Sequence, residues 1–538
     1  MARTSGLLVS ALALAACTPA PKPAVPAVSS APRTDDWYRN VVFYELWVRS
    51  FQDSNGDGIG DLPGLVSRLD YLADLGVGAL WLMPTFPSPL SDSGYDVSDF
   101  EGVHPDYGTL DDLKRLVAEA HLRNLKVLLD FVPNHTSVEH PWFKESRASR
   151  TGPRADWYVW SDGPGPACAE ADIGFGAERW TLDPVRGQYY FHQAFPFQPD
   201  LNFRAAGVQE ALLGAARFWL DAGVDGFRID SAQELFEAWP KCWHEPETFG
   251  FYQRLRALLD EYPSRAMVGE TCCEQSDVLR YLGDGKDMMH LAFDFTVMND
   301  IPGASKSGDA LALKADLAFA AANDRAPARF ATNFGNHDIF RSTTMVGSTP
   351  ASLRLAALAL LTLPGAPFVY YGEELGMTDG TEWPIDFRDA ARTPMQWDDS
   401  PNQGFTTGTP FLPLSSSGHL NVASELPRED SLLGTYRRYV ALRNRTPALQ
   451  EGTYEAVPAT SAGLVVFWRR HAEGDRLVVL SFAPTADTAV TVQLPTGWAG
   501  ASSLTELLSG QTVGDVAGGS WSAQVPARTG WVLGPTGG

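Results

Sequence analysis

The sequence predicts an α/β protein: a TIM (β/α)8 barrel with a domain inserted after the third strand, followed by a C-terminal antiparallel β-sandwich domain. Three observations predict it. Stretches with apolar residues at three- and four-residue steps alternate with short apolar runs, the order that builds a parallel sheet. Several of those runs end on charged or polar groups, as barrel strands do at their C-terminal face. After residue 450 the texture changes to short β-rich runs divided by Gly, Pro and Asp. The expected divisions are a signal peptide at 1–16, a Pro/Ala-rich tether at 17–35, a barrel at 36–450 with the inserted domain at about 133–200, and a β domain at 451–538.

Met1 to Ala16 holds Arg3 and then LLVSALALAA, too short to span a membrane as a helix. Thr18 to Asp35 is rich in Pro, Ala and Ser and reads as an extended tether. VVFYELWVRSF (Val41 to Phe51) is the first buried strand. DSNGDGIGD follows, with Asp53, Asn55, Asp57 and Asp61 at alternate positions and Gly58 free to turn sharply. A loop of this kind can wrap a hard cation such as calcium. Gly64 stands where an EF-hand has its bidentate Glu, and a metal-free Asx turn is the alternative. GLVSRLDYLADLG is a helix and GALWLMP the second strand, followed by a loop offering Asp92, Tyr95 and Asp96.

TLDDLKRLVAEAHLRNL leads to the third strand, KVLLDFVPNH, which closes on Asp130, Asn134 and His135. The next stretch, to about Pro199, has little helical periodicity and many Gly, Pro and Trp, so it reads as an insertion. QEALLGAARFWLDAG then feeds GFRID. Arg228 and Asp230 stand two apart there and point to one side, and the guanidinium should keep Asp230 ionised. RAMVGE closes on Glu270, LAFDF is the sixth strand, ARFATNFGNHD closes on Asn336, His337 and Asp338, and GAPFVYYGEELGM completes the eight. YRRYVALRNRTPAL is the last helix. LVVFW, RLVVLSF, TAVTVQL and GWVLG supply the β domain.

Asp230, Glu270 and Asp338 thus come from three strand ends. Retaining glycoside hydrolysis needs an ionised carboxylate about 5–5.5 Å from a protonated carboxyl group. The proton holder must be raised in pKa by burial and a neighbouring negative charge. The third acid and the histidines can then stabilise an oxocarbenium-like transition state.

DFVPNH, GFRIDS, MVGET and FGNHD, in this order, resemble the four conserved regions of the α-amylase superfamily, glycoside hydrolase family 13. QPDLN (Gln198 to Asn202) resembles the extra motif of its oligo-1,6-glucosidase and α-glucosidase branch. The resemblance implies that Asp230 is the nucleophile, Glu270 the acid/base and Asp338 the transition-state stabiliser. It implies that Arg228, His135 and His337 line the sugar subsite, that Tyr95 stacks on the sugar and that Asp92 reaches its hydroxyls. RDAARTPMQWDD (Arg388 to Asp399) matches the block whose arginine closes the pocket of exo-acting relatives, which places Arg392 opposite Asp92. The same resemblance gives the 53–61 loop a structural calcium ion, with the carbonyl of Ile59 as a further ligand beside Asp53, Asn55, Asp57 and Asp61. No organic cofactor is implied. Ser231, after the nucleophile, tilts the linkage preference from α-1,6 toward α-1,4. The insertion at about 133–200 resembles the family's domain B, which forms one wall of the site, but around GFGAERWTLD it departs from the glucosidase pattern.

LAAC (Leu14 to Cys17) resembles a bacterial lipobox. It implies lipidation at Cys17 and an extracytoplasmic protein whose one membrane contact is that anchor. Cys168, Cys242, Cys272 and Cys273 leave three complete pairings open. One structural disulfide is favoured over two, and a bridge from the 272–273 pair to Cys242 or Cys168 would brace the site. With 65 acidic against 42 basic residues and a net charge of −23, the chain should repel nucleic acid. A neutral oligosaccharide is the expected substrate and a monomer the expected state. The expected activity is exo-acting α-glucosidase, cleaving mainly α-1,4 bonds of malto-oligosaccharides through a covalent glycosyl-enzyme. An endo-acting α-amylase, a trehalose synthase or transglucosidase, and a non-catalytic sugar-binding protein are the alternatives.

Overall fold

Eight apolar runs become eight parallel strands because each is buried on both faces, one toward the barrel interior and one toward the surrounding helices. In the computed structural model they are β1 (Phe43–Leu46), β2 (Ala79–Leu82), β3 (Lys126–Phe131), β4 (Gly226–Ile229), β5 (Ala266–Gly269), β6 (Leu291–Phe293), β7 (Arg329–Thr332) and β8 (Ala366–Tyr370). Each pairs with its sequence neighbours, and β8 pairs with β1 to close the barrel. The structure describes residues 36–170, 178–272, 274–326, 328–384, 386–415, 420–485, 488–498 and 500–536. The expected signal peptide and tether, with Cys17, lie outside them.

The interior is filled by large apolar side chains, with Phe43 stacked on Phe368 at 4.2 Å between ring centres and Trp81 against Phe293 at 5.6 Å. The barrel is therefore a packed core, and chemistry is confined to its upper rim. Register decides what meets there. Asp130 on β3 lies directly beside Arg228 on β4, and Ile229 beside Gly269 on β5. Gly226 opens β4 at φ +142°, and a Cβ there would stand 1.7 Å from the Ala266 carbonyl oxygen, so only glycine admits this close pairing.

The first strand is shorter than its apolar run predicts. It ends at Leu46, and Val48–Phe51 turn helical. The chain must double back here: the Gly60 N–H donates to the Arg49 carbonyl at 2.8 Å, and a Cβ on Gly60 would meet the Val48 oxygen at 2.1 Å. The helix of GLVSRLDYLADLG is two helices, Leu62–Ser67 and Leu69–Leu75, divided at Arg68. Domain B is more ordered than its composition suggests. It carries a helix, Pro141–Ala148, and a three-stranded sheet of Trp160–Ser161, Gln188–Phe191 and Trp180–Asp183.

Past the helix Leu432–Asn444, a six-stranded and a three-stranded antiparallel sheet face each other across Val466, Trp468, Val490, Val492 and Trp521. Three of the predicted runs form adjacent inner strands of the six-stranded sheet, and TAVTVQL is an edge of the three-stranded one, whose centre is 520–525. The strands at 453–456, 504–506, 512–513, 515–517 and 520–525 lack a long apolar run, and most are half-exposed edges. Among the described residues no helix is long and apolar enough to cross a membrane.

Candidate active site

The strand ends meet around Arg228, which is 2% exposed and holds three carboxyl groups at once. Its Nη1 donates to Asp130 Oδ1 at 2.9 Å and to Asp230 Oδ1 at 2.6 Å, and its Nη2 lies 2.9 Å from Glu270 Oε2. Asp230 and Glu270, 40 positions apart along the chain by their numbers, therefore sit on the two arms of one guanidinium. A second tie joins them. Ser231, held at φ 43°, donates its N–H to Glu270 Oε2 at 2.8 Å. A non-glycine residue in the left-handed region is strained, and here the strain aims the peptide after Asp230 at Glu270.

Arg228 alone does not fix the charge of Asp230, contrary to the expectation from its position two residues away. Burial pushes Asp230 up to about 7 against the pull of Arg228, and the Asp130 and Asp338 charges add to the rise. Burial raises Glu270 to about 7 as well, opposed by Arg228 and reinforced by Asp230 and Asp338. One guanidinium divided among three acids cannot keep all of them ionised, so near neutrality the Asp230–Glu270 pair shares a proton. Asp338 behaves oppositely. Burial works upward, but His337, Arg388 and Arg392 hold it well below the usual carboxylate range.

His337 is fixed from both sides. Glu45 Oε1 lies 2.6 Å from Nδ1 and Tyr95 Oη 2.6 Å from Nε2, while Tyr95 donates on to Asp130 Oδ2 at 2.9 Å. Burial keeps the imidazole neutral and pushes Glu45 well above the carboxylate range. A protonated Glu45 donating to Nδ1 leaves the Nε2 hydrogen facing Tyr95 and Asp338, whose Oδ2 is 3.2 Å away. Both ring nitrogens of His135 are buried without a hydrogen-bond partner, which suits them to sugar hydroxyls. Burial drives this ring down to about 4, so it is neutral.

These groups line a cavity of about 370 Å³ that holds Asp92, Tyr95, His135, Asp230, Glu270, His337 and Asp338 together. Arg228 and Arg392 lie beneath its floor. One assignment is corrected: Arg388, not Arg392, faces Asp92. Arg388 Nη2 is 2.5 Å from Asp92 Oδ1, with side chains 8% and 6% exposed, and Asp386 backs it. Arg392 turns the other way, to Ser93 Oγ at 2.7 Å, the His337 carbonyl at 2.9 Å and Asp338 at 3.2 Å. It braces the Asp338 loop. The physical reason is the 3₁₀ turn Phe387–Ala390, which carries the two arginines to different sides.

Sequence reasoning missed Asp130, Glu45 and Gln198 as parts of the site. The Gln198 amide donates to Asp92 Oδ2 at 2.9 Å and so fixes the Asp92–Arg388 pair from domain B. The QPDLN block was the available signal for Gln198; Glu45 had none. The cysteines pair differently from the bridge expected to brace the site. Cys168 bonds Cys242, tying domain B to the loop after β4. Cys272 is disulfide-bonded as well, so more than the one expected bridge forms; Cys273 lies outside the described residues.

In the 53–61 loop each acid is partly occupied by its own backbone. Asp53 accepts from the N–H groups of Asn55, Gly56 and Gly58 at 2.8–2.9 Å, and Asp57 accepts from Ile59 at 2.8 Å. Asp61 caps the next helix through the Gly64 N–H and accepts from Ser54. Burial works upward on Asp53, but Thr406 and these N–H groups outweigh it and hold it low. The donors are all hard oxygens, which fits a calcium-type ion. Their carboxyl groups are not drawn to a single point; among the described residues the one such tight group of three is Cys168, Glu170 and Cys242, which includes the disulfide.

Comparison with known proteins agrees with this geometry. Residues 45–452 match the family model described as "Alpha amylase, catalytic domain". The chain is 38% identical over 514 residues to a probable α-glucosidase of Rhizobium meliloti, covering 86% of this chain and 91% of that one. It is 38% identical over 483 residues to a trehalose synthase/amylase of Mycolicibacterium smegmatis, covering 81% of each. The trehalulose synthase of Pseudomonas mesoacidophila superposes with a TM-score of 0.80 at 29% identity, over 94% of this chain and 99% of that one. A barrel whose polar strand ends gather three acids around one arginine, matched along most of its length by these enzymes, belongs to the α-amylase family.

Proposed function

We propose that the protein is a retaining enzyme that takes one α-glucosyl unit from the non-reducing end of a short α-glucan, an α-glucosidase acting mainly on α-1,4 bonds. The Asp92–Arg388 pair carries this reading. It is a buried ion pair in the wall of the sugar cavity, a position in which it would bar a longer chain, and this speaks against an endo-acting amylase. Asp230 attacks the anomeric carbon while Glu270 gives its proton to the leaving oxygen. Glu270 then takes a proton from the incoming water or sugar hydroxyl as the glycosyl ester to Asp230 breaks. Asp338, held anionic by two arginines, faces the developing positive charge.

Transfer to a second sugar is the competing outcome at the same site. It is favoured by the identity to trehalose synthases, while Ser231 bears on linkage and does not separate the two outcomes. Product analysis from maltose, maltotriose, trehalose and soluble starch separates the readings. Glucose from maltotriose with slow attack on starch is expected. Trehalose accumulating from maltose would make the enzyme an isomerase, and rapid loss of starch viscosity would make it an amylase.

The pH profile of kcat/KM is expected to be bell-shaped with limbs on either side of about 7. Activity rises as Asp230 loses its proton and falls as Glu270 loses its own. Glu270→Gln should abolish the alkaline limb along with most of the rate. A profile flat from pH 5 to 9 would contradict the shared proton.

The 53–61 loop is proposed to hold calcium through Asp53, Asn55, Asp57, Asp61 and the Ile59 carbonyl, as a fastener rather than a reactant. Chelation should lower Tm by several degrees and leave activity at moderate temperature nearly unchanged, since an ion bound to the folded state alone adds to its stability. An unchanged Tm after exhaustive chelation would remove the ion. The LAAC motif supports lipidation at Cys17, for which incorporation of labelled palmitate, lost in Cys17→Ser, is the test.

A further inference from the structure

At the opposite end of the barrel from the sugar cavity, the chain gathers arginines that outnumber the acids beside them. A cavity of about 120 Å³ lies along β7, from Arg329 to Thr332, against Asp294 just after β6 and the first strand of the β domain. Arg39, Arg325, Arg329 and Arg469 line it, and Arg443 stands behind its Gly365 edge. Arg469 is 1% exposed and Arg443 wholly buried.

Their hydrogen bonds go to backbone carbonyls. Arg469 donates to Gly452 and Thr362, Arg443 to Leu361 and Gly365, and Arg329 through Nη1 to Arg39 and Gln450. Among the described residues none of the three forms a salt bridge, and Nε of Arg39 and of Arg443 is buried with no acceptor at all. Three acids border the cavity, and the charges of Asp324 and Glu451 act on Arg329 without forming an ion pair with it. Asp294 is spent capping the helix that starts at Phe295, and Asp324 and Glu451 are exposed at the mouth. The guanidiniums repel one another, and burial lowers Arg329 to about 10 and Arg469 to about 9. Uncompensated buried charge is strongly unfavourable, and it is conspicuous in a chain of net charge −23.

We propose that this cavity is a binding site for a tetrahedral oxyanion, inorganic phosphate or the phosphate of a phosphomonoester, held by Arg329 and Arg469 and joining the barrel to the β domain. Carbonyl bonds occupy part of each guanidinium and fix its plane. The N–H groups of Arg329 and Arg469 that do not bond these carbonyls are left to donate to phosphate oxygens. The cavity accommodates several water-sized spheres, enough for such an anion. The site is remote from Asp230, so the anion acts on stability and on the joint between the domains, not on the chemical step.

Calorimetric titration of the whole protein with inorganic phosphate, at fixed pH and ionic strength in a chloride buffer, tests this. One saturable site is expected, together with a saturable rise in Tm. Arg329→Gln and Arg469→Gln should each weaken binding at least tenfold and keep the wild-type rate on maltotriose. Arg329→Gln is the safer variant, because Arg329 is only half-buried. A parallel titration with glucose 1-phosphate identifies the source: equal affinity shows that the phosphate group alone is read, and tighter binding of the ester shows a phosphomonoester ligand. Either result supports the site. No heat from either titrant would overturn it. So would a Tm that rises linearly with phosphate and identically in wild type and Arg329→Gln, since excluded kosmotropic salts stabilise any protein in that way.

Discussion

Asp230→Asn is expected to lower kcat/KM for maltose by on the order of 10⁴-fold or more while the protein stays folded. The amide cannot form a glycosyl ester, so the loss falls on the chemical step rather than on binding. Folding should survive because the amide oxygen can still accept the 2.6 Å hydrogen bond from Arg228 Nη1. Arg228 also keeps Asp130 and Glu270 as ionic partners. The variant removes a negative charge from a cluster in which burial already opposes ionisation, so no large drop in Tm should accompany the loss of rate. Kinetics with maltose and a thermal melt on one preparation check both halves.

Arg388→Ala should show the second large effect. It leaves Asp92, 4% exposed, as an unpaired buried carboxylate. Breaking a buried pair by removing one partner destabilises the fold by about 3–5 kcal/mol; separately, Asp92 loses the partner that positions it at the sugar, and kcat/KM for maltose should fall by roughly 10²–10³-fold. The wall beyond the sugar should also open, raising activity on long glucans relative to maltose. Arg392→Ala makes the opposite pattern: its partners are Ser93, the His337 carbonyl and Asp338, so it should lower the rate on all substrates together without changing chain-length preference. If the two variants exchanged phenotypes, the pairing seen here would be wrong.

Those two arginines also show where the sequence stops being legible. The block RDAARTPMQW places two arginines four positions apart, and a pattern cannot say which one a 3₁₀ turn will send across the cavity. The three acids were legible because each ends an apolar run, and a carboxylate at the end of a buried strand has no structural excuse. Glu45 was not. It sits inside the first apolar run, and its partner His337 is 292 positions away, so nothing local marks it. The protonation of Asp230 was misjudged for a related reason: the adjacent arginine is visible in sequence, whereas its division among Asp130, Asp230 and Glu270 appears only when β3, β4 and β5 are aligned. The barrel was readable from its alternation of helix and strand. The ordered sheet of domain B was hidden by strands of two to four residues, too short to carry a period.

The central claim is that Asp230 and Glu270 act as a retaining pair, with Asp230 becoming covalently bonded to the sugar. A slow-turnover fluoroglucosyl fluoride, followed by proteolysis and mass spectrometry, tests it directly. One labelled peptide carrying the adduct on Asp230 is predicted, together with α-glucose as the first anomer released from an aryl α-glucoside. An adduct on a different carboxylate, or β-glucose as the first product, would contradict it.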